Sequence, residues 1–160
     1  MKKSIYQSQL MFNMNERLFL NALEGLTDDQ TRERLSDHNN PLIWIATHTV
    51  WARYNALTFL GQPAKNPFEG MFEKFKAYDP ADKYPTLDVV KEEWKKASTL
   101  LKSALEAVTE EQLAADSPLK SPIGDFTNGG TIAFLAQHES YDIGQIGFLK
   151  KYYTSKAMAY

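Results

Sequence analysis

The 160-residue chain contains no cysteine. That excludes disulfides, thiolate zinc sites, iron–sulfur clusters and a cysteine nucleophile, and it fits a reducing, cytoplasmic setting. A charge excess of either sign is also lacking. Twenty acidic residues face eighteen basic ones, a formal net charge of −2, so no broad phosphate-binding surface and no nucleic-acid partner are expected. No run of 18 or more apolar residues occurs, which excludes a transmembrane helix. No helical segment has the basic face that membrane-surface binding needs. Met1-Lys2-Lys3-Ser4 carries positive charge, but Gln7, Gln9, Asn13, Asn15 and Glu16 break up the residues behind it, so a secretory leader is not expected. Histidine is scarce: there are three. With no cysteine to help, they limit the metal sites the chain can build.

What is present is a core. Hydrophobic residues make up 43% of the chain, enough for one folded domain spanning residues 1–160. Four long helical segments are predicted. The first runs from about Ser4 to Leu23, with Leu10, Met11, Met14 and Leu18 on one face, and stops near Gly25. Thr27-Asp28-Asp29-Gln30 reads as a capping box for a short helix. The second long segment starts with Asn40 as N-cap and Pro41 in the first turn, runs to Gly61, and is apolar nearly all round in its first half, the mark of a buried helix. Residues 62–85 hold Pro63, Pro67, Pro80 and Pro85, which forbid a long helix, and too many aromatics for a solvated linker. At about 3.3 Å per extended residue such a connection can cross the length of a bundle, which allows the second and third helices to be parallel neighbours. The third segment follows Thr86, with Leu87, Val90, Trp94, Ala97, Leu101, Ala104 and Val108 forming a seam. Thr109-Glu110-Glu111-Gln112 is a second capping box. Turn signals fill residues 116–130, and the fourth helix is expected from about Thr131 to Tyr153. The fold class that follows is an all-α four-helix bundle with a long crossover between helices 2 and 3.

On the fourth helix Leu135, His138, Asp142, Gln145 and Leu149 share one face, which the two leucines mark as inward. Buried polar groups need partners. His138 and Asp142, one turn apart, can reach a common ion, and His48 in the apolar half of the second helix supplies a third ligand. Two histidines and a carboxylate with open positions suit zinc, nickel, iron or manganese. Each residue also has a plainer reading. A lone interior histidine is more often a satisfied core residue, and His138 with Asp142 also fits a simple hydrogen bond. Gln145 orients a ligand or bonds a loop carbonyl. Trp44, Trp51 and Trp94 line a pocket or pack the core. His38 reads as an exposed loop residue near a site rim. Phe134, Tyr141 and Phe148 recur at seven-residue steps on another face, the pattern of a contact in a symmetric homodimer.

Two segments resemble a family. Asn40-Pro41-Leu42-Ile43-Trp44-Ile45-Ala46-Thr47-His48 and His138-Glu139-Ser140-Tyr141-Asp142-Ile143-Gly144-Gln145-Ile146 are similar to the second-helix and fourth-helix motifs of the DinB superfamily of bacterial four-helix bundles. The resemblance implies an up-down-down-up bundle, often dimeric, with a divalent metal held by three histidines near one end. Carried onto this sequence, the ligands are His48, His138 and residue 142, where aspartate stands in place of the usual histidine. A carboxylate still binds zinc, nickel, iron or manganese, but it lowers the site charge by one and weakens the ion as a Lewis acid. Characterised relatives include metal-dependent transferases and isomerases that use a low-molecular-weight thiol, and hydrolysis is suspected for others. Without cysteine, this chain would have to take any sulfur nucleophile from such a thiol. Two functions are therefore expected: a metal-dependent enzyme on a small-molecule substrate, or a degenerate binding module that has lost the metal. Glu139 points about 100° from His138 on the helix, and no general base is evident.

Overall fold

The computed structural model describes residues 4–160; Met1–Lys3, on which the leader expectation begins, lie outside the described residues. Six α-helices follow in order among the described residues: α1 (Tyr6–Leu23), α2 (Asp28–Arg32), α3 (Leu42–Phe59), α4 (Leu87–Ala107), α5 (Glu110–Ala114) and α6 (Asn128–Thr154). The four long ones form a bundle in which α6 packs on α1 and α3, and α4 packs on α3 and α1. No strand accompanies them among the described residues, only an isolated bridge between Asp116 and Thr127. No helix of the described residues is long and apolar enough to cross a membrane.

Cross-links between helices give their directions. Asn15 bonds Ser140 and Lys150 bonds the Asn21 carbonyl, so α1 and α6 run the same way. His48 meets Asp142 while Arg53 meets Glu139, so α3 and α6 are antiparallel. Trp94 Nε1 donates to the Glu16 carbonyl and Ser4 bonds Glu110 just beyond α4, so α1 and α4 are antiparallel. The chain goes up, down, down and up, with residues 60–86 crossing between α3 and α4 and holding only a short 3-10 turn at Glu73–Phe75.

Local chemistry sets most of the helix ends. Both capping boxes form, with Thr27 accepting from Gln30 N–H and Thr109 from Gln112 N–H. Thr86 accepts from Val89 N–H, and the Leu87 N–H finds Asp28 Oδ1 at 2.8 Å, which ties α2 to the start of α4. Two ends differ from the sequence reading. α3 begins at Leu42, because Pro41 keeps an extended ψ of 155° and serves as N-cap itself, its carbonyl accepting from the Trp44 and Ile45 N–H groups. α6 begins at Asn128, not Thr131. Asp125 Oδ1 holds the Thr127 backbone and hydroxyl, and Thr127 caps Gly130. A Cβ on Gly130 would sit 2.5 Å from Asp125, so glycine is what lets this cap close over the first turn.

The α4 seam is buried as expected, from Leu87 to Val108. The face expected for α1 is half right: Leu18 is buried and Met11 packs on the core, but Leu10 and Met14 are exposed, and Phe12, Asn15, Phe19 and Ala22 face inward. The misleading residue is Asn15, a polar group made acceptable inside by Ser140 Oγ at 2.9 Å. The inner face of α6 also differs. Its deepest row is Ile132, Ala136, Glu139, Ile143, Ile146 and Lys150, while Leu135, His138 and Gln145 are half-buried at the edge of that row.

Glu139 lies in the core because Arg53 does. Arg53 Nε and Nη2 donate to the two Glu139 oxygens at 2.8 and 2.7 Å, Nη1 donates to Ser98 Oγ, and Nη2 also reaches the Phe12 carbonyl. The guanidinium lies 3.7 Å over the Trp94 ring. One side chain on α3 thereby holds α1, α4 and α6. Burial pushes the Glu139 carboxyl upward, and Arg53 pulls against it. Arg53→Met should cost about 3–5 kcal/mol, because it strands a buried carboxylate. The double replacement Arg53→Met/Glu139→Leu should recover much of that loss. Urea unfolding of both variants checks it; a single variant as stable as the parent would contradict this reading of the pair.

Candidate metal centre

α3 and α6 bring the three expected ligands together. One ligand atom from each of His48, His138 and Asp142 lies within 4.8 Å of the others. His138 and Asp142 are one turn apart on α6, and His48 faces them from the antiparallel α3. Asp142 is buried, with its side chain 6% exposed, while the His48 and His138 side chains are 18% and 25% exposed. The cluster sits at the edge of the bundle, with one side toward the core and one toward solvent.

Each donor is positioned differently. Asp142 Oδ2 is 3.2 Å from His48 Nδ1 and 3.3 Å from the Thr49 hydroxyl, while Oδ1 accepts from Gln145 Nε2 at 3.3 Å. Thr49 spends its shorter bond, 2.7 Å, on the Ile45 carbonyl, which lets a polar side chain sit inside α3. Around the carboxylate all these contacts are long for hydrogen bonds. His138 Nδ1 stands 3.8 Å from Asp142 Oδ2, too far to bond, and is buried with no partner among the described residues. An orphaned imidazole nitrogen beside a carboxylate and a second histidine makes a donor set that can hold a cation. Two nitrogens and an oxygen suit a borderline divalent metal, so the residues present fit such an ion.

The electrostatics agree. Glu139 is paired with Arg53, and Asp142 is the carboxylate that stands beside the two histidines. Burial lowers the His138 pKa; Asp142 opposes that and His48 adds to it. The imidazole is therefore kept neutral and able to donate its lone pair at neutral pH.

Aromatic rings fix His48. Trp44 and Trp51 stack on its imidazole at 5.0 and 5.5 Å between centroids. Phe72, from the crossover, meets Trp44 and His48 in edge contacts at 5.3 and 5.2 Å and Trp51 at a tilt at 5.7 Å. Phe134 lies 5.9 Å from His138. Gln145, Trp44 and Trp51 are thus where the sequence placed them, next to the ligands, and Trp94 belongs to the core. Thr49, Phe72 and Phe134 were not singled out for the site. Phe72 was visible only as one of the surplus aromatics in a proline-rich stretch. The seven-residue row divides: Phe134 joins this wall, while Tyr141 and Phe148 stay exposed at 61% and 65%. Phe72→Ala should cost about 3–5 kcal/mol as a buried aromatic truncation. It should also red-shift tryptophan emission as Trp44 and Trp51 lose their cover, with Trp94 unchanged in the core. Steady-state fluorescence and urea unfolding read both; emission identical to the parent would show that Phe72 does not cover them.

A sequence profile of the DinB superfamily matches residues 11–146, and the chain belongs to that superfamily. No curated protein matches it. A crystal structure of a conserved protein from Enterococcus faecalis superposes with a TM-score of 0.72 over 98% of this chain and 100% of that one, at 15% identity. At that identity the likeness is one of fold.

Proposed function

We propose that this member of the DinB superfamily is a divalent-metal-dependent enzyme acting on a small molecule, with His48, His138 and Asp142 as the ligands. The observation that carries the reading is the convergence of three donor atoms within 4.8 Å, one of them an orphaned buried imidazole nitrogen. When bound there, zinc, nickel, iron or manganese supplies a Lewis acid with open coordination positions. The chain's own residues do the rest. Gln145 and Thr49 hold the Asp142 carboxylate from its two sides. Trp44 and Trp51 clamp the His48 ring, and Phe72 shields it from water. Either thiol transfer or hydrolysis fits this arrangement. For thiol transfer the sulfur must arrive with a low-molecular-weight thiol, since the chain has no cysteine.

A second reading, a binding module that has lost the metal, is favoured by one contact. Asp142 already bonds His48 and Gln145, so the carboxylate is satisfied without an ion. Metal loading separates the two. Untagged protein should carry near-stoichiometric metal by elemental analysis. After chelation, re-addition of zinc or nickel at a hundred times Kd should raise stability by about 2.7 kcal/mol. His48→Ala and His138→Ala should each abolish both effects. A metal-free parent whose melting temperature ignores zinc, nickel and manganese would leave the binding module standing.

A further inference from the structure

A cavity of about 660 Å³ opens beside the cluster, between residues 35–40 and the outer side of α6. Its link to the cluster is Gln145, which lines the cavity and donates to Asp142 Oδ1, while the three ligands themselves are not in the lining. Its size is that of a small-molecule site. Leu35, Ile45, Tyr141, Phe148 and Leu149 give it an apolar body. The polar residues of the lining are His38, Asn39, Asn40, Ser140, Tyr141 and Gln145. Aspartate, glutamate, lysine and arginine are absent from the lining, although they make up 24% of the chain.

One wall is stiffened in advance. Arg34 donates to the Asn39 carbonyl at 2.8 Å and to the Asp37 carbonyl, and the Ser36 N–H bonds Asn39 Oδ1 at 2.7 Å. Arg34 thus spends its charge on the backbone behind the groove. Two amide groups are left for a guest. Gln145 Oε1 and the Asn40 side chain have no hydrogen-bond partner among the described residues.

The floor carries a third observation. Gly144 lies inside the 27-residue α6, where glycine weakens a helix relative to alanine. Nothing in the fold calls for it there. Its φ is not positive, and a Cβ would meet no atom within 4 Å. Gly130, by contrast, is pressed against Asp125, and a Cβ on Gly147 would meet Met158 at 3.6 Å. What glycine at 144 does is leave the floor open between Tyr141 and Phe148, one turn away on either side.

We propose that this groove is the substrate subsite of the metal centre and that it takes an uncharged molecule, an apolar or aromatic body bearing an amide-like group that pairs with Gln145 Oε1 and Asn40. This rests on the metal-enzyme reading above. A carboxylate or phosphate on the guest would be desolvated here with no cation to meet it. A thiol bearing carboxylates would likewise find no counter-charge in this lining.

The test uses three probes of one shape: phenylacetamide (neutral), phenylacetate (anion) and phenethylammonium (cation). Each is titrated into the full chain, with zinc and after chelation, and followed by backbone amide NMR. Phenylacetamide should move signals from residues 35–40 and 140–149, and it should bind at least tenfold tighter than either ion. Gly144→Leu should weaken it at least tenfold while zinc uptake stays stoichiometric. Equal binding of all three probes, or Gly144→Leu without effect on phenylacetamide, overturns the proposal. So does a dimer in sedimentation that buries Phe148 and excludes the probe, since the groove would then belong to a second copy. The two readings fail separately. Phenylacetamide binding to a protein that takes up no zinc leaves the groove and removes the metal centre. Zinc uptake with no phenylacetamide shift removes the groove alone.

Discussion

The fold turns on one buried ion pair. Arg53 and Glu139 are each about 2% exposed, and between them they engage every long helix: Phe12 of α1, Arg53 of α3, Ser98 and Trp94 of α4, and Glu139 of α6. Hydrophobic contact between helices tolerates sliding, because one leucine serves nearly as well as the next. A bidentate guanidinium–carboxylate pair does not, because its two short bonds hold only at one register. Such a pair adds little net stability once the loss of hydration is counted, and its contribution here is alignment. With Arg53 opposite Glu139 on antiparallel helices, the residue one turn and a half earlier on α3 is His48, and the residue one turn later on α6 is Asp142. The placement of the candidate ligands follows from the lock beside them.

That arrangement makes a division of labour visible along α6. Its inner row holds the bundle together, its edge row carries His138, Asp142 and Gln145, and its outer row, with Tyr141, Gly144 and Phe148, borders the groove. Neighbouring rows lie about 100° apart around the helix, so structure, cluster and groove share one rigid element. Gln145 joins the last two, since it bonds the carboxylate and lines the cavity. The aromatic stack of Trp44, His48 and Trp51 does on α3 what hydrogen bonds do on α6: it leaves the donor one orientation.

Much of this was legible in the sequence, and the parts that were not share a cause. The α4 seam and the two capping boxes are local patterns of spacing and side-chain reach, and they appear as read. His48, His138 and Asp142 were legible because polar residues stood among apolar ones at helical steps. Arg53 and Glu139 were not, because each looks like an ordinary solvated charge until the other is placed against it 86 residues away. Asn15 misled the reading of α1 for the same reason, since its partner Ser140 lies on a helix the local pattern does not contain. The groove was illegible because its wall, residues 35–40, owes its shape to side chains bonding backbone and not to any periodic pattern.

The long separation between the members of the lock also bears on the order in which the chain assembles. A growing chain completes α1, α3 and α4 before Glu139 exists. Until α6 docks, the three earlier helices would have to enclose a guanidinium with no counter-charge, at an energetic penalty that burial alone does not offset. The counter-charge comes only with the last long element, which carries the carboxylate and two of the three candidate ligands together. The pair that fixes register in the finished protein is thus also a non-local contact, between residues 86 apart in the chain, closed only when the helix that carries two of the candidate ligands is in place.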